Sequence, residues 1–177
     1  MIRIISGTAK GRRLQAPKNL PVRPTTDRVK EALFNILQHQ HDLPSSHVLD
    51  LFSGTGNISY EFASRGVAHS TAVEQHRKCV EFIRSTNDLL GFSIDVVQQE
   101  VLHFLAQTQN KYSLIFADPP YDWEIKHYED LLDIAMQRLE NEGLLIVEHE
   151  KHKGFEKHPN WLESRHYGSC SFSFFKQ

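Results

Sequence analysis

Strands alternating with helices from residue 48 onward predict an α/β fold, a Rossmann-like, mostly parallel sheet with helices on both faces. Three observations carry that reading. Five short β-prone runs, Val48–Phe52, Ser70–Glu74, Ile94–Gln98, Ser113–Ala117 and Gly143–Glu148, are bounded by turn residues. Between them, helical stretches are expected over Asn57–Arg65, Arg77–Leu90, Val101–Gln107 and Tyr128–Arg138. The tail, WLESRHYGSCSFSFFKQ, holds two β-prone runs that meet at Tyr167-Gly168. They predict an antiparallel hairpin that completes a seven-stranded sheet.

Ahead of the alternation the chain differs. "RIISG" and "RRLQAP", separated by "TAKG", read as a small β-hairpin. "VRPTTDRVKEALFNILQHQ" then reads as a capped helix, with Thr25, Thr26 or Asp27 as N-cap and Val29, Ala32, Leu33, Ile36 and Leu37 on one apolar face. "HDLPSSH" is a loop by composition. Residues 1–40 therefore read as a hairpin-and-helix unit packed on a core that runs from 41 to 177.

Composition narrows the classes. With 177 residues, 40% of them hydrophobic and 24% charged, the chain reads as an ordinary soluble globular protein. It is long enough to bury about 70% of its unfolded surface. No apolar run approaches the ~20 residues that span a bilayer, and the opening "MIRIISGTAKGRR" resembles no secretory signal. Cys79 and Cys170 stand in unrelated contexts, so no disulfide framework is expected and a cytoplasmic location fits. A monomer is expected.

The net charge of −2 hides an asymmetry. Residues 1–30 carry eight basic side chains (Arg3, Lys10, Arg12, Arg13, Lys18, Arg23, Arg28, Lys30) against the single acid Asp27, whereas the other 147 hold 12 basic and 21 acidic groups. A basic arm on an acidic body is the footprint of a nucleic-acid grip. A merely solvated basic face would look similar on charge alone.

Ligands of open α/β sheets sit beyond the carboxyl ends of the strands. The first strand ends "VLDLFSGTGN", where Gly54 and Gly56 allow a tight turn and close approach of a ligand to bare backbone. Asp50 lies in the strand just before. Glu74 ends the next strand, 20 residues after Gly54, placed for the hydroxyls of a ribose. A nicotinamide dinucleotide could use this arrangement, but normally brings a third glycine where Ser59 stands. S-adenosylmethionine has no phosphate and carries a sulfonium cation, so the acid-flanked loop suits it better. Further along, "QQEVLHFL" offers Glu100 for an adenine amino group, with Val101 or Phe104 flanking the ring. The plainer role for Glu100 is a helix-start acid.

The fourth strand runs into "LIFADPPY" and stops. Two prolines cannot continue a ladder, so they hold a rigid, extended corner. That corner fixes two acceptors, the Asp118 carboxylate and the Pro119 carbonyl. A nucleobase amine is a poor nucleophile because its lone pair is delocalised into the ring. Binding its hydrogens orients the nitrogen and favours its tetrahedral form. A stacked base cannot reach such a site, so the target must be unpaired or flipped out, and Tyr121 supplies a ring on which it stacks. A strand-ending turn with a capping acid is the structural alternative.

Taken together, "RIISG…KGRRL…P…VRPTTDRVKEALFNIL", "DLFSGTG", "VE" and "FADPPY" resemble the RsmD family of bacterial methyltransferases, from about Arg3 to the C-terminus. The resemblance implies a class I S-adenosylmethionine-dependent methyltransferase acting on the N2 amine of one guanine in 16S ribosomal RNA, in the 30S subunit or an assembly intermediate. It implies that Asp50, Phe52, Ser53, Gly54, Thr55, Gly56, Glu74, Gln75, Glu100 and Val101 line the methyl donor. Asp118, Pro119, Pro120 and Tyr121 would hold the guanine, and Lys10, Arg12, Arg13, Arg23, Thr25 and Arg28 would face RNA or the active site. Two departures stand out: Ser59 where the family usually has Gly, and His76 where it has an acid or amide.

Other readings compete. The tetrapeptide alone also suits enzymes acting on DNA adenine or protein glutamine; the former usually carry a sizeable recognition region, and the latter typically have Asn in place of Asp118. A non-catalytic RNA-binding module of the same fold is the third. Eleven histidines invite a metal, yet "HEKHK" at His149–Lys153 fails the zinc-protease pattern because Lys stands at 153. No metal site is expected.

Overall fold

The computed structural model describes residues 1–18, 20 and 25–177. In chain order the elements are β1 (Ile2–Arg3), β2 (Arg13–Leu14), α1 (Asp27–Gln40), β3 (His47–Leu51), α2 (Asn57–Ser64), β4 (His69–Glu74), α3 (Arg77–Leu90), β5 (Ile94–Gln98), α4 (Val101–Gln107), β6 (Tyr112–Ala117), α5 (Ile125–Met136), β7 (Leu139–Glu150), β8 (Trp161–Tyr167) and β9 (Cys170–Lys176). Seven strands form one sheet in the order β5-β4-β3-β6-β7-β9-β8. The first five are parallel, and β9 runs antiparallel to both its neighbours.

The central strands are apolar on both faces, as a covered parallel sheet requires. Side-chain alternation sends Val48, Leu114, Phe116, Ile146 and Phe172 to one face, where α1 and α2 bring Leu33, Phe34, Leu37, Ile58 and Phe62. Leu49, Leu51, Ile115, Ala117, Leu145 and Val147 point the other way, against α4 and α5. Thr26 is the N-cap of α1, its hydroxyl accepting from the Val29 amide at 3.4 Å.

The three largest departures from the expected boundaries each have a local reason. The β1–β2 ladder holds only Ile2↔Leu14 and Arg3↔Arg13. The Ile5 and Ser6 amides donate instead to the Glu61 carboxylate, at 2.9 and 3.0 Å, so the chain peels away before "TAKG". Helix α5 starts at Ile125, earlier than Tyr128, because its exposed first turn adds nothing to the apolar stripe. Strand β7 begins at Leu139 rather than Gly143; an irregularity at Glu142 (φ 62°) lets Leu139 pair with Tyr112 before Leu144 resumes the register opposite Leu114.

The hairpin is fixed to the core by buried charge. Lys30 and Glu61 are both fully buried, their Nζ and Oε2 3.2 Å apart. Lys30 also donates to the Arg3 carbonyl (2.6 Å) and to Asn57 Oδ1 (2.9 Å), and Arg65 donates to Glu61 (2.9 Å). Gly7 (φ 84°) packs so closely on α2 that a Cβ there would lie 1.7 Å from the Ser64 carbonyl oxygen. Ile2, Ile4 and Leu14 complete the seam against Tyr60, Ala72 and Ile83. No helix among the described residues is long and apolar enough to cross a membrane.

Candidate active site

From β3 the chain turns to β4 on one side, and β6 lies on the other, so the strand order reverses between β3 and β6. Beyond their carboxyl ends opens a cleft of about 1240 Å³. That is the place where open α/β sheets bind ligands.

The loop after β3 makes one wall. Phe52 has φ 60°, a left-handed conformation that ends the strand and swings the chain toward α2. Gly56 follows at φ 81°, and a Cβ on it would sit 2.7 Å from the Tyr60 ring, so only glycine fits. Glu74 ties this loop to β4: its Oε2 accepts from the Gly54 amide at 2.8 Å and its Oε1 from the His76 amide at 2.7 Å. Asp50 is almost wholly buried beneath the loop and accepts a very short hydrogen bond from the Ser59 hydroxyl. The side chain that replaces the expected glycine thus holds the carboxylate. Burial pushes Asp50 up to about 7; Ser59 and Ser53 pull it down and the Glu74 charge pushes it up.

Because the folded pKa exceeds the unfolded value of 3.8, the proton stabilises the fold; that contribution is complete below 3.8 and is lost as pH rises from there through about 7. An NMR titration of labelled aspartate carboxyls is expected to show one midpoint near pH 7. Ser59→Ala should raise it by removing a bond to the charged form. A wild-type midpoint near 4 would contradict the assignment.

The other predicted donor residues gather here as well: Phe52, Ser53, Thr55, Gln75, Glu100 and Val101 all line the cleft. Glu100 is the N-cap of α4, its oxygens accepting from Leu102 (3.0 Å) and His103 (2.9 Å), so it takes the capping role while facing the cavity. Across the cleft stands the proline corner. Asp118 is half-buried and anchored by its amide to the Leu51 carbonyl (3.4 Å); Pro119, Pro120 and Tyr121 complete that wall.

Among the predicted substrate residues, Thr25 and Arg28 line the cleft, and Thr25 accepts through its carbonyl from Asn57 (3.1 Å). Lys10, Arg12 and Arg13 are exposed on the hairpin, away from the lining. Arg23 lies outside the described residues.

Several lining residues escaped sequence reasoning. Glu148 ends the cleft side of β7 and accepts from the Tyr121 hydroxyl (3.3 Å). Trp123 packs edge-on against Phe52, ring centres 5.2 Å apart, joining the two walls. His76, read from the sequence only as a departure from the family, has its Nδ1 buried with no hydrogen-bond partner among the described residues, and it and the β8–β9 turn close the rest. Glu148 could have been found by the same edge rule that singled out Asp118. "HEKHK" is the end of β7 and a turn, not a helix. Among the described residues no three His, Cys, Asp or Glu side chains converge as a metal-binding group.

The chain also resembles known proteins in sequence and fold. The chain is 34% identical over 168 residues to the ribosomal RNA small subunit methyltransferase D of Escherichia coli (strain K12), which covers 90% of this chain and 81% of that one. A solved hypothetical protein of Thermus thermophilus matches all of both chains with a TM-score of 0.86 at 26% identity. The 16S rRNA N2 methyltransferase RsmC of T. thermophilus, solved with AdoMet and guanosine, shares the fold at a TM-score of 0.73 and 16% identity, over 89% of this chain and 45% of that one. The family model described as conserved hypothetical protein 95 matches residues 2–176. The chain belongs to that family, the RsmD family of ribosomal RNA methyltransferases.

Proposed function

We propose that this protein transfers a methyl group from S-adenosylmethionine to the exocyclic N2 amine of a specific guanine in 16S ribosomal RNA, presented by the 30S subunit or an assembly intermediate. The observation that carries the reading is one cleft with a stiff acidic corner, Asp118 to Tyr121, facing an acid-flanked glycine loop. The chemistry of that loop fits the donor. Glu74 and Glu100 line the loop's side of the cleft as carboxylates, which suit hydroxyl and amine groups and would repel a pyrophosphate. When bound, S-adenosylmethionine supplies an electrophilic methyl on sulfur.

The chain's own residues do the rest. Glu74 faces the ribose, while Glu100 and Val101 face the adenine. Asp118 and the Pro119 carbonyl hold the hydrogens of the amine, turning its lone pair toward the methyl. Tyr121 stacks on the extruded base, a contact worth ~1–3 kcal/mol. Residues 1–40 form the RNA grip on the methyltransferase domain of residues 41–177, and the protein works as a cytoplasmic monomer.

Incubation with tritiated donor and 30S particles lacking the mark should place label in ribosomal RNA, released by digestion as N2-methylguanosine. Label in DNA or protein but never in ribosomal RNA would overturn the substrate. Arg12→Ala with Arg13→Ala should weaken RNA binding and lower the slope of log K against log salt by about two. An unchanged slope would remove the hairpin from the interface.

A further inference from the structure

We infer that Glu148 reads the N1 hydrogen of the target base and is the residue that separates guanine from other purines, an inference that rests on the guanine reading above. Its position follows from register. Phe116 pairs with Ile146 and Ala117 with Val147, so Asp118, the first residue past the end of β6, comes level with Glu148 on β7, the strands being about 4.8 Å apart. Alternation puts Glu148 on the face that carries Ile146. Glu148 is only 4% exposed, yet it lines the cleft. The Tyr121 hydroxyl donates to its Oε1 at 3.3 Å and so orients the carboxylate beside the ring on which the base stacks.

The Tyr128 hydroxyl, itself buried, is pushed up first by burial and then by the charges of Asp118, Glu150, Glu148 and Asp122. A carboxylate inside an RNA-binding cleft repels phosphate, so its partner there must be a donor. Guanine offers donors in a row: two hydrogens on N2 and one on N1. Asp118 and the Pro119 carbonyl account for the first two, leaving the third for Glu148. Adenine and 2-aminopurine present a bare lone pair at N1, which a buried carboxylate rejects.

The test uses ribosomal RNA with 2-aminopurine in place of the mapped target guanine, since that base keeps the N2 amine and lacks the N1 hydrogen. Wild-type protein should prefer guanine by about 100-fold in kcat/KM. Glu148→Gln, whose amide can donate to a bare N1, should narrow the preference below about tenfold, with the donor dissociation constant within about twofold of wild type. Tyr121→Phe, which keeps the ring and releases the carboxylate, should narrow it by less. Equal losses on both bases in Glu148→Gln would make the residue structural and overturn the inference, as would equal use of both bases by wild type. Absence of transfer to ribosomal RNA by wild type is a separate outcome that overturns the guanine reading itself.

Discussion

Asp118→Ala is expected to lower kcat by about a thousandfold while the dissociation constant for S-adenosylmethionine moves by less than about threefold. Removing one preorganised electrostatic partner from a reacting group typically costs about 10²–10³ in rate. Here the same group also orients the amine, so the upper end applies. The donor wall should not notice, because it is built by β3, β4 and the start of α4, with Glu74 holding Gly54 independently of the corner. Single-turnover kinetics on guanine and calorimetric titration of the donor separate the two effects. Asp118→Asn, which keeps one acceptor oxygen, should recover part of the rate. Equal loss of transfer and donor binding would contradict the assigned role.

Lys30→Met should produce the largest loss of stability. The ammonium is wholly buried and holds Glu61, Asn57 and the Arg3 carbonyl at once. Removing one partner of a buried pair costs about 3–5 kcal/mol, because the remaining carboxylate stays desolvated. For a chain of this size that corresponds to a melting temperature lowered by roughly 10 °C. Urea unfolding measures it directly, and a change within about 0.5 kcal/mol of zero, the range of ordinary surface substitutions, would sink the account. The pH dependence has a definite sign. Burial, opposed by Glu61, holds the Lys30 amine below its usual 10.5. Between the folded value and 10.5 the unfolded chain binds more protons, so wild-type stability gains from this group as pH rises through that window. Lys30→Met removes the gain.

The sheet was readable because its strands are short β-prone runs bounded by turn residues, and α1 and α3, before or between them, carry apolar residues at helical spacing. Asp118 and Glu74 were readable because the carboxyl-edge rule needs only a strand and its last residue. Lys30 was harder. It lies three and four residues before Leu33 and Phe34, on the apolar face of α1, a visible signal, but its partner Glu61 sits 31 residues on in another helix and no spacing connects them. The expected strand began at Gly143, and only the pairing of Leu139 with Tyr112 carries it back to Leu139. Glu148 was passed over as a strand-end acid because its cleft forms only when β7 lies beside β6.

The last strand, β9, is threaded between β7 and β8 and is bonded along both flanks. The turn that β9 shares with β8, His166 to Cys170, forms one side of the cleft. That side is therefore braced like a cantilever whose root lies deep in the sheet. A ligand entering the cavity meets a rigid parapet there.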